Sequence, residues 1–570
     1  MINKKTYYAI FIFFINYIFL ISYLITIYKG MKTNIIYFWI SIIIMSLIVY
    51  LQIIYLKEDE INEYLILIEI LLIGFGINLM YIATHTGLYG HDPSWDYSVT
   101  ENIIKFGWPL PIAISERIRV LSEWPALHFL TIMIKEISGI DLIMSAKYLP
   151  SLLSSITLLF YYLTAKKSYD DKKTALLASF IFAVLCWNTA YHSKYIRETL
   201  AFMDYFAILF IIISHKNFSL RIILIIMTIS LAFSHHLTCL MLILFLIIID
   251  TSKYFLSKLK VSFIRKYDYI SNSLFGASQT ALLFIFTCIL TYWLYIGNFT
   301  FSFVKIAKDD LLMGLYGTYN VQHYATAGSF RMMSGFYGNI LFMIIFLVIL
   351  GIRIIKDNTA NNVNDIIYII CGLVMVAISY ISTSLVPRIE FSRFIIFGFA
   401  ILLISFANAA IKSKLVLKIL FLIFCIFQIF LIPPYMYNNN YQPEYEYGSY
   451  REYYLPAEYD ATTWFIDNVK YPKQVAGDWT IYELLGSKQV NVDYQSNNLT
   501  SIYEGELNNL IYFNWLALRS EDFFSARVNK PRATAPVILS KDTYNNIEKT
   551  AKVNKVYDCN EIIYYKIGTK

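Results

Sequence analysis

Along this chain, apolar positions come in long unbroken blocks separated by short polar turns. Runs of roughly 20 apolar residues recur, with none of the strict period-two alternation of a barrel strand. In lipid only helices and closed barrels satisfy every backbone polar group, so the blocks predict spanning helices. They fall near 7–28, 35–56, 64–84, 142–164, 174–190, 200–214, 220–235, 237–250, 278–297, 336–355, 366–385, 394–411 and 416–433. The block WPALHFLTIMI, Trp124 to Ile134, has only about 11 residues and reaches half of a core about 30 Å thick. It is expected as a helix lying at the interface. The opening MINKKTYYAIFIFFINYIFLISYLI has an apolar segment too long for a signal peptide and no small-residue cleavage site, so it reads as a first span.

Composition agrees with this pattern. Of the 570 residues, 58% are hydrophobic and 15% charged, and the mean hydropathy is +0.54, which excludes a soluble globule. The formal charge of +7 comes from lysines and arginines flanking the spans and is no sign of nucleic-acid binding. Basic residues collect on the cytoplasmic side, and INKK, AKKSYDDKK, SHKNFSLR, TSKYFLSKLKVSFIRKY, IRIIKD and IKSK all fall inside in a pattern of about 13 spans. The short basic turn with Lys29 and Lys32, which this pattern places outside, is the exception. The N-terminus is expected in the cytoplasm and the loop 85–141 outside. Cys186, Cys239, Cys288, Cys371 and Cys425 lie within or at the ends of apolar runs and Cys559 stands alone, so neither a disulfide framework nor a metal cluster is indicated.

After Pro433 and Pro434 the chain turns polar and tyrosine-rich. Residues 434–570 are expected to form a separate extracytoplasmic domain, following the membrane domain 1–433. EYDATTWFIDNV has helical spacing, while QVAGDW and QVNVDY read as short strands, so a small α/β unit is predicted.

Chemistry concentrates in YGHDPSWDYSVTENIIKFGWP, Tyr89 to Pro109. Pro93 stiffens the turn after Asp92. Asp96 lies four residues on, so a helix here sets both acids on one face. The amphipathic segment that follows ends at Gly107 and Pro109 and is of the kind that lies along a membrane surface.

HDPSWDYSVTENIIKFGWP and the following EWPALHF resemble the first external loop of the GT-C class of glycosyltransferases. That class includes oligosaccharyltransferase catalytic subunits, protein mannosyltransferases and lipid A aminoarabinose transferases. The resemblance implies an all-α polytopic fold and transfer of a sugar from a polyprenyl-phosphate or pyrophosphate carrier, with Asp92 as the catalytic acidic residue and Asp96 in a less constant place. A second stretch, SAKYLPSLLSSITLLFYYLTAKKSYDDKKTALLASFIFAVLCWNTAYHSKYIRETLAFMDYFAILF, is similar to the same class. Glu198 sits where those families carry a second external acid.

Arg197 and Lys194 beside it have the chemistry to hold a phosphate, Arg through a bidentate fork and Lys as a point charge. The cluster reads equally as snorkelling side chains at a helix end. Lys147 is a further candidate for the carrier phosphate or for simple anchoring. If a metal takes part, Asp92 and Glu198, with Asp96 beside them, offer hard oxygen ligands suited to Mg²⁺ or Mn²⁺. The class itself includes both metal-using and metal-free members.

Three further groups complete the candidates. His235 and His236 are expected at an external turn, as relay, ligand or polar lining. Arg388, Glu390 and Arg393 open a helix and are expected to face inward, since charges facing lipid are costly; they read as an internal ion pair or as a phosphate clamp. His323 and Arg331 are the polar residues of interest in the long loop 297–335. The oligosaccharyltransferase string Trp-Trp-Asp-Tyr-Gly has no counterpart, the nearest being AGDWTIYELLG at Ala476 to Gly486, which argues against peptide N-glycosylation. The extra hairpin before the catalytic span also departs from the class.

The sequence therefore predicts a glycosyltransferase of the cell envelope, hexosyl or oligosaccharyl, with Asp92 as base toward an extracytoplasmic acceptor: a protein, lipid-linked glycan or surface polymer. A transporter or flippase of a lipid-linked precursor is the alternative. It predicts ionisable residues in mid-span and inverted repeats, neither of which stands out.

Overall fold

The computed structural model describes residues 4–29, 36–58, 60–83, 92–185, 192–214, 218–258, 278–295, 330–356, 362–385, 394–413 and 415–431. It also describes residues 34, 87–88 and 188–189 and the segments 462–467, 475–476, 492–493, 510–514, 553–558 and 562–567. The chain begins with α1 (Lys4–Tyr28), α2 (Ile36–Tyr55) and α3 (Glu63–Ala83). Three shorter helices follow: α4 (Asp92–Phe106), α5 (Glu116–Ser122) and α6 (Ala126–Ser138). Next come α7 (Leu142–Tyr169), α8 (Lys172–Val184), α9 (Arg197–Ile213), α10 (Phe218–Ser234) and α11 (His236–Lys258). The last are α12 (Ser278–Tyr295), α13 (Phe330–Lys356), α14 (Asn362–Leu385), α15 (Phe394–Ile411) and α16 (Leu415–Leu431).

A helix lies over every apolar block predicted to span. Among the described helices, α1, α2, α3, α7 and α11 are long and apolar enough to cross a bilayer, and shorter apolar helices accompany them. The protein is an all-α polytopic membrane protein through this region. The predicted spans start late at two places that matter. α9 begins at Arg197, so Arg197 and Glu198 form its first turn, and α11 begins at His236. The interfacial block divides differently from expectation, with α6 starting two residues later and running on to Ser138. Gly139, at φ +71°, closes α6 by donating its N–H to the Lys135 carbonyl.

The bundle core is built from facing apolar stripes, with a few buried polar pairs fixing register. Asn78 of α3 donates to Ser154 of α7 at 2.9 Å, and Gln52 of α2 to Glu69 of α3 at 2.8 Å. α14 and α15 approach where Gly372 faces Gly398. A Cβ on Gly372 would stand 2.9 Å from the Gly398 carbonyl oxygen and 2.3 Å from Leu402 Cγ, so only glycine permits this spacing. At the bundle end farthest from α4, Asp365 accepts from Tyr169 Oη at 2.5 Å and from Asn408 Nδ2 at 3.2 Å, tying α7, α14 and α15 together. Glu63, the first residue of α3, accepts from Tyr162 and Lys166 of α7 at the same end.

Farther along, residues 462–467 are helical within EYDATTWFIDNV. Strands β1 (Val475–Ala476) and β2 (Val492–Asp493) fall inside QVAGDW and QVNVDY. With β3 (Leu510–Asn514), β4 (Val553–Asp558) and β5 (Ile562–Ile567) they make a sheet of order β2-β1-β3-β5-β4. β1 pairs in parallel with β2 and β3; β5 pairs antiparallel with β3 and β4.

Candidate functional site

α4 presents two faces. Trp95, Val99 and Ile103 recur every four residues and pack with Leu110, Ile114 and Ile118 of the strap and α5 that follow. One position further round, Asp96 and Thr100 face the bundle and are buried. Gly107, at φ +79°, ends the helix and lets the chain double back. Asp92 is the first residue of α4 and is exposed, one turn above Asp96 on the same side. The predicted spacing of the two acids thus holds, but their environments are opposite.

Asp96 is 3% exposed. Arg197 of α9 lies against it, with 2.8 Å between Nε and Oδ1. Arg197 also donates from Nη1 to the Leu121 carbonyl at 3.3 Å and stands 5.5 Å from the Trp124 ring centre. Burial pushes the Asp96 carboxyl up to about 6; Arg197 opposes that rise, while Asp92 and Glu198 add to it. The three acids named from the sequence therefore share one electrostatic neighbourhood.

Behind Asp96 is a knot of neutral groups. Thr100 Oγ1 lies 2.8 Å from Tyr195 Oη, 2.9 Å from His128 Nδ1 and 3.0 Å from the Asp96 carbonyl oxygen; Tyr195 Oη is also 2.8 Å from Thr131 Oγ1. Burial, helped by Arg197, holds His128 well below the usual imidazole range, so it is neutral where its Nε2 comes within 3.9 Å of Asp96. Sequence reasoning missed His128, Thr100, Thr131 and Tyr195. EWPALHF and YHSKYIRE did contain a histidine and a tyrosine, but nothing local marks them as mutual partners.

Glu198 points the other way. It is 8% exposed and lies 3.1 Å from His235 Nε2. His235 Nδ1 lies 3.0 Å from Thr238 Oγ1 and accepts from the Thr238 backbone N–H at 3.4 Å. That acceptor role at Nδ1 places a ring proton on Nε2, directed at the carboxylate. His236 packs beside it at 4.8 Å between ring centres and 4.7 Å from Trp124, the same tryptophan that flanks Arg197.

The remaining candidates are more scattered. Lys194 sits at the bend before α9, and its carbonyl accepts from Thr199 Oγ1 at 2.9 Å. Lys147 is 4% exposed on α7, its Nζ 5.4 Å from the Tyr28 ring centre. Arg331 lies in the first turn of α13, but its side chain is outside the described residues, as are His323, Arg388, Glu390 and Arg393. The structure brings Asp92, Asp96, Arg197, Glu198, His235 and His236 into one region at the α4 end of the bundle.

Among the described residues no group of three or more His, Cys, Asp or Glu is arranged to hold a metal ion. Asp96 and Glu198 each face a nitrogen partner, Arg197 and His235 respectively.

No protein-family model matches the chain, and no curated protein matches it. Among solved structures the chain is similar to ArnT from Cupriavidus metallidurans, crystallised bound to undecaprenyl phosphate. The identity is 10%, the match covers 88% of this chain and 97% of that one, and the TM-score is 0.46. A likeness at that level is one of chain course and says nothing of donor, acceptor or chemistry.

Proposed function

We propose that this protein is a membrane glycosyltransferase that takes a sugar from a polyprenyl-phosphate or pyrophosphate carrier and passes it to an acceptor outside the cytoplasm. The observation that carries the reading is the Asp96–Arg197 contact. It clasps the acidic loop helix to the bundle and sets an exposed carboxylate, Asp92, one turn from the buried carboxylate that the part-buried Arg197 guanidinium holds. The motif resemblance of the same loop supports it.

In this reading the anomeric carbon of the donor loses its phosphate as the acceptor attacks, which requires a base on one side and positive charge on the other. Asp92, open to solvent, takes the acceptor's proton. Arg197, with Asp96 fixing its orientation, faces the departing phosphate with its remaining N–H groups, and Lys194 adds charge at the bend. His128, held neutral, leaves the charge of Arg197 undiluted. The N-terminus lies in the cytoplasm and residues 434–570 form the outer domain.

The test is transfer of radiolabelled sugar from polyprenyl-phosphate carriers by the full-length protein in nanodiscs, alongside Asp92→Asn and with EDTA in parallel. Transfer by the wild type and none by the variant supports the reading. Equal transfer by both removes Asp92 as base, and no transfer from any carrier overturns the reading.

A further inference from the structure

His192 stands just before α9 and is 3% exposed, yet neither of its ring nitrogens has a hydrogen-bond partner among the described residues. Its ring packs at 4.2 Å between centres on Phe202. Burial pushes it down to about 3, with Glu198 opposing the fall, so it is neutral and carries one N–H and one bare nitrogen. Buried polar groups in folded proteins almost always find a partner, and one left without calls for a ligand.

A cavity supplies the place. It measures about 20 Å³ and is lined by His192, Glu198, His235 and Thr238, with Phe202 and Phe397 among its apolar walls. That is room for about one water-sized oxygen, and such a site is occupied only where two or more polar groups converge. Here they do. Glu198 offers a carboxylate already oriented by the His235 N–H, and His192 offers a donor and an acceptor.

We infer that this cavity is a receptor for a single hydroxyl oxygen, which donates its proton in a hydrogen bond to the Glu198 carboxylate and accepts one from the His192 N–H. The occupant is either a resident water or one hydroxyl of the substrate's sugar. The chemistry is the same: a neutral O–H group, small enough to enter and flanked by a carboxylate and a neutral imidazole. The sugar alternative rests on the transferase reading and assigns His192 as a specificity determinant, since a site built to bond a hydroxyl discriminates against a substrate lacking it.

The experiment uses full-length protein in nanodiscs, labelled with ¹⁵N-histidine. The chain has eight histidines, and the His192 signals are those missing from His192→Phe, with His192→Asn as a second variant should that one fail to fold. A neutral ring with both nitrogens hydrogen-bonded supports the receptor, and a ring free of hydrogen bonds, with and without donor, overturns it. Polyprenyl-phosphate glucose, mannose and their monodeoxy forms are then added. Signals that respond to a donor, but not to one of its deoxy forms, identify the sugar hydroxyl. Hydrogen-bonded signals unmoved by every donor identify water. In the sugar case kcat/KM for the intact donor falls about 10- to 100-fold in His192→Phe, while the deoxy donor is unaffected. Because the ring signals are read without turnover, failure of transfer and an empty cavity are separate results.

Discussion

Arg197 Nε and Asp96 Oδ1 meet at 2.8 Å across the boundary between a surface helix and the first turn of a buried one. Removing one partner leaves the other charge buried and uncompensated, which costs about 3–5 kcal/mol in typical cases. Arg197→Gln is expected to lower stability by about that amount at pH 7.5. The loss should shrink at pH 5, where Asp96 has taken up a proton. The double variant Asp96→Leu, Arg197→Met should recover most of it. Thermal unfolding in nanodiscs measures all three, and purely additive losses would show that the two side chains are not coupled.

Asp92→Asn should behave in the opposite way. The side chain is exposed, so stability should change by less than about 0.5 kcal/mol. Transfer, by contrast, should drop by about 10²- to 10⁴-fold, the usual contribution of a positioned base. Parallel melting and transfer assays separate the two effects.

Acidity should switch the site through Asp96. Its carboxyl is raised from 3.8 to about 6 in the folded protein. Folded protein therefore holds this proton more tightly than unfolded chain, and the group's cost to stability grows between these two values and is constant above them. Activity runs the other way, because the pairing with Arg197 needs the ionised form. Transfer is expected to rise with pH through about 6. Asp96→Asn should be weaker and lack that limb; a limb unchanged in the variant would assign the titration to another group.

Packing between α14 and α15 depends on two glycines. Gly372→Ala or Gly398→Ala forces a methyl against backbone oxygen at 2.9 Å, and each should lower the unfolding midpoint by several degrees. Gly351→Ala meets nothing within 4 Å and serves as the control.

The spans were legible because a run of apolar residues in lipid has one outcome. The spacing of Asp92 and Asp96 was legible for the same local reason, a helical period. That one acid is exposed and the other buried was not, because burial of Asp96 is decided by α9, far along the chain. His128 and His192 were invisible singly. A lone histidine acquires meaning only when the fold brings Thr100 to one and a carboxylate-lined cavity to the other. Glu198 and Arg197 were found as neighbours in sequence, but their division between two partners follows from adjacent residues on a helix lying about 100° apart.

The strap from Gly107 to Ser115 is held at its ends, where Leu110 and Ile114 are buried, while Ile112 between them is 86% exposed. The clasp at Asp96 and the knot around Thr100 join α4 to the bundle by side chains rather than through this strap. A cut at Ile112 would therefore leave the two pieces bound to each other. The chain is divisible there, and fragments made separately, residues 1–112 and 113–570, would be expected to reassemble in one membrane.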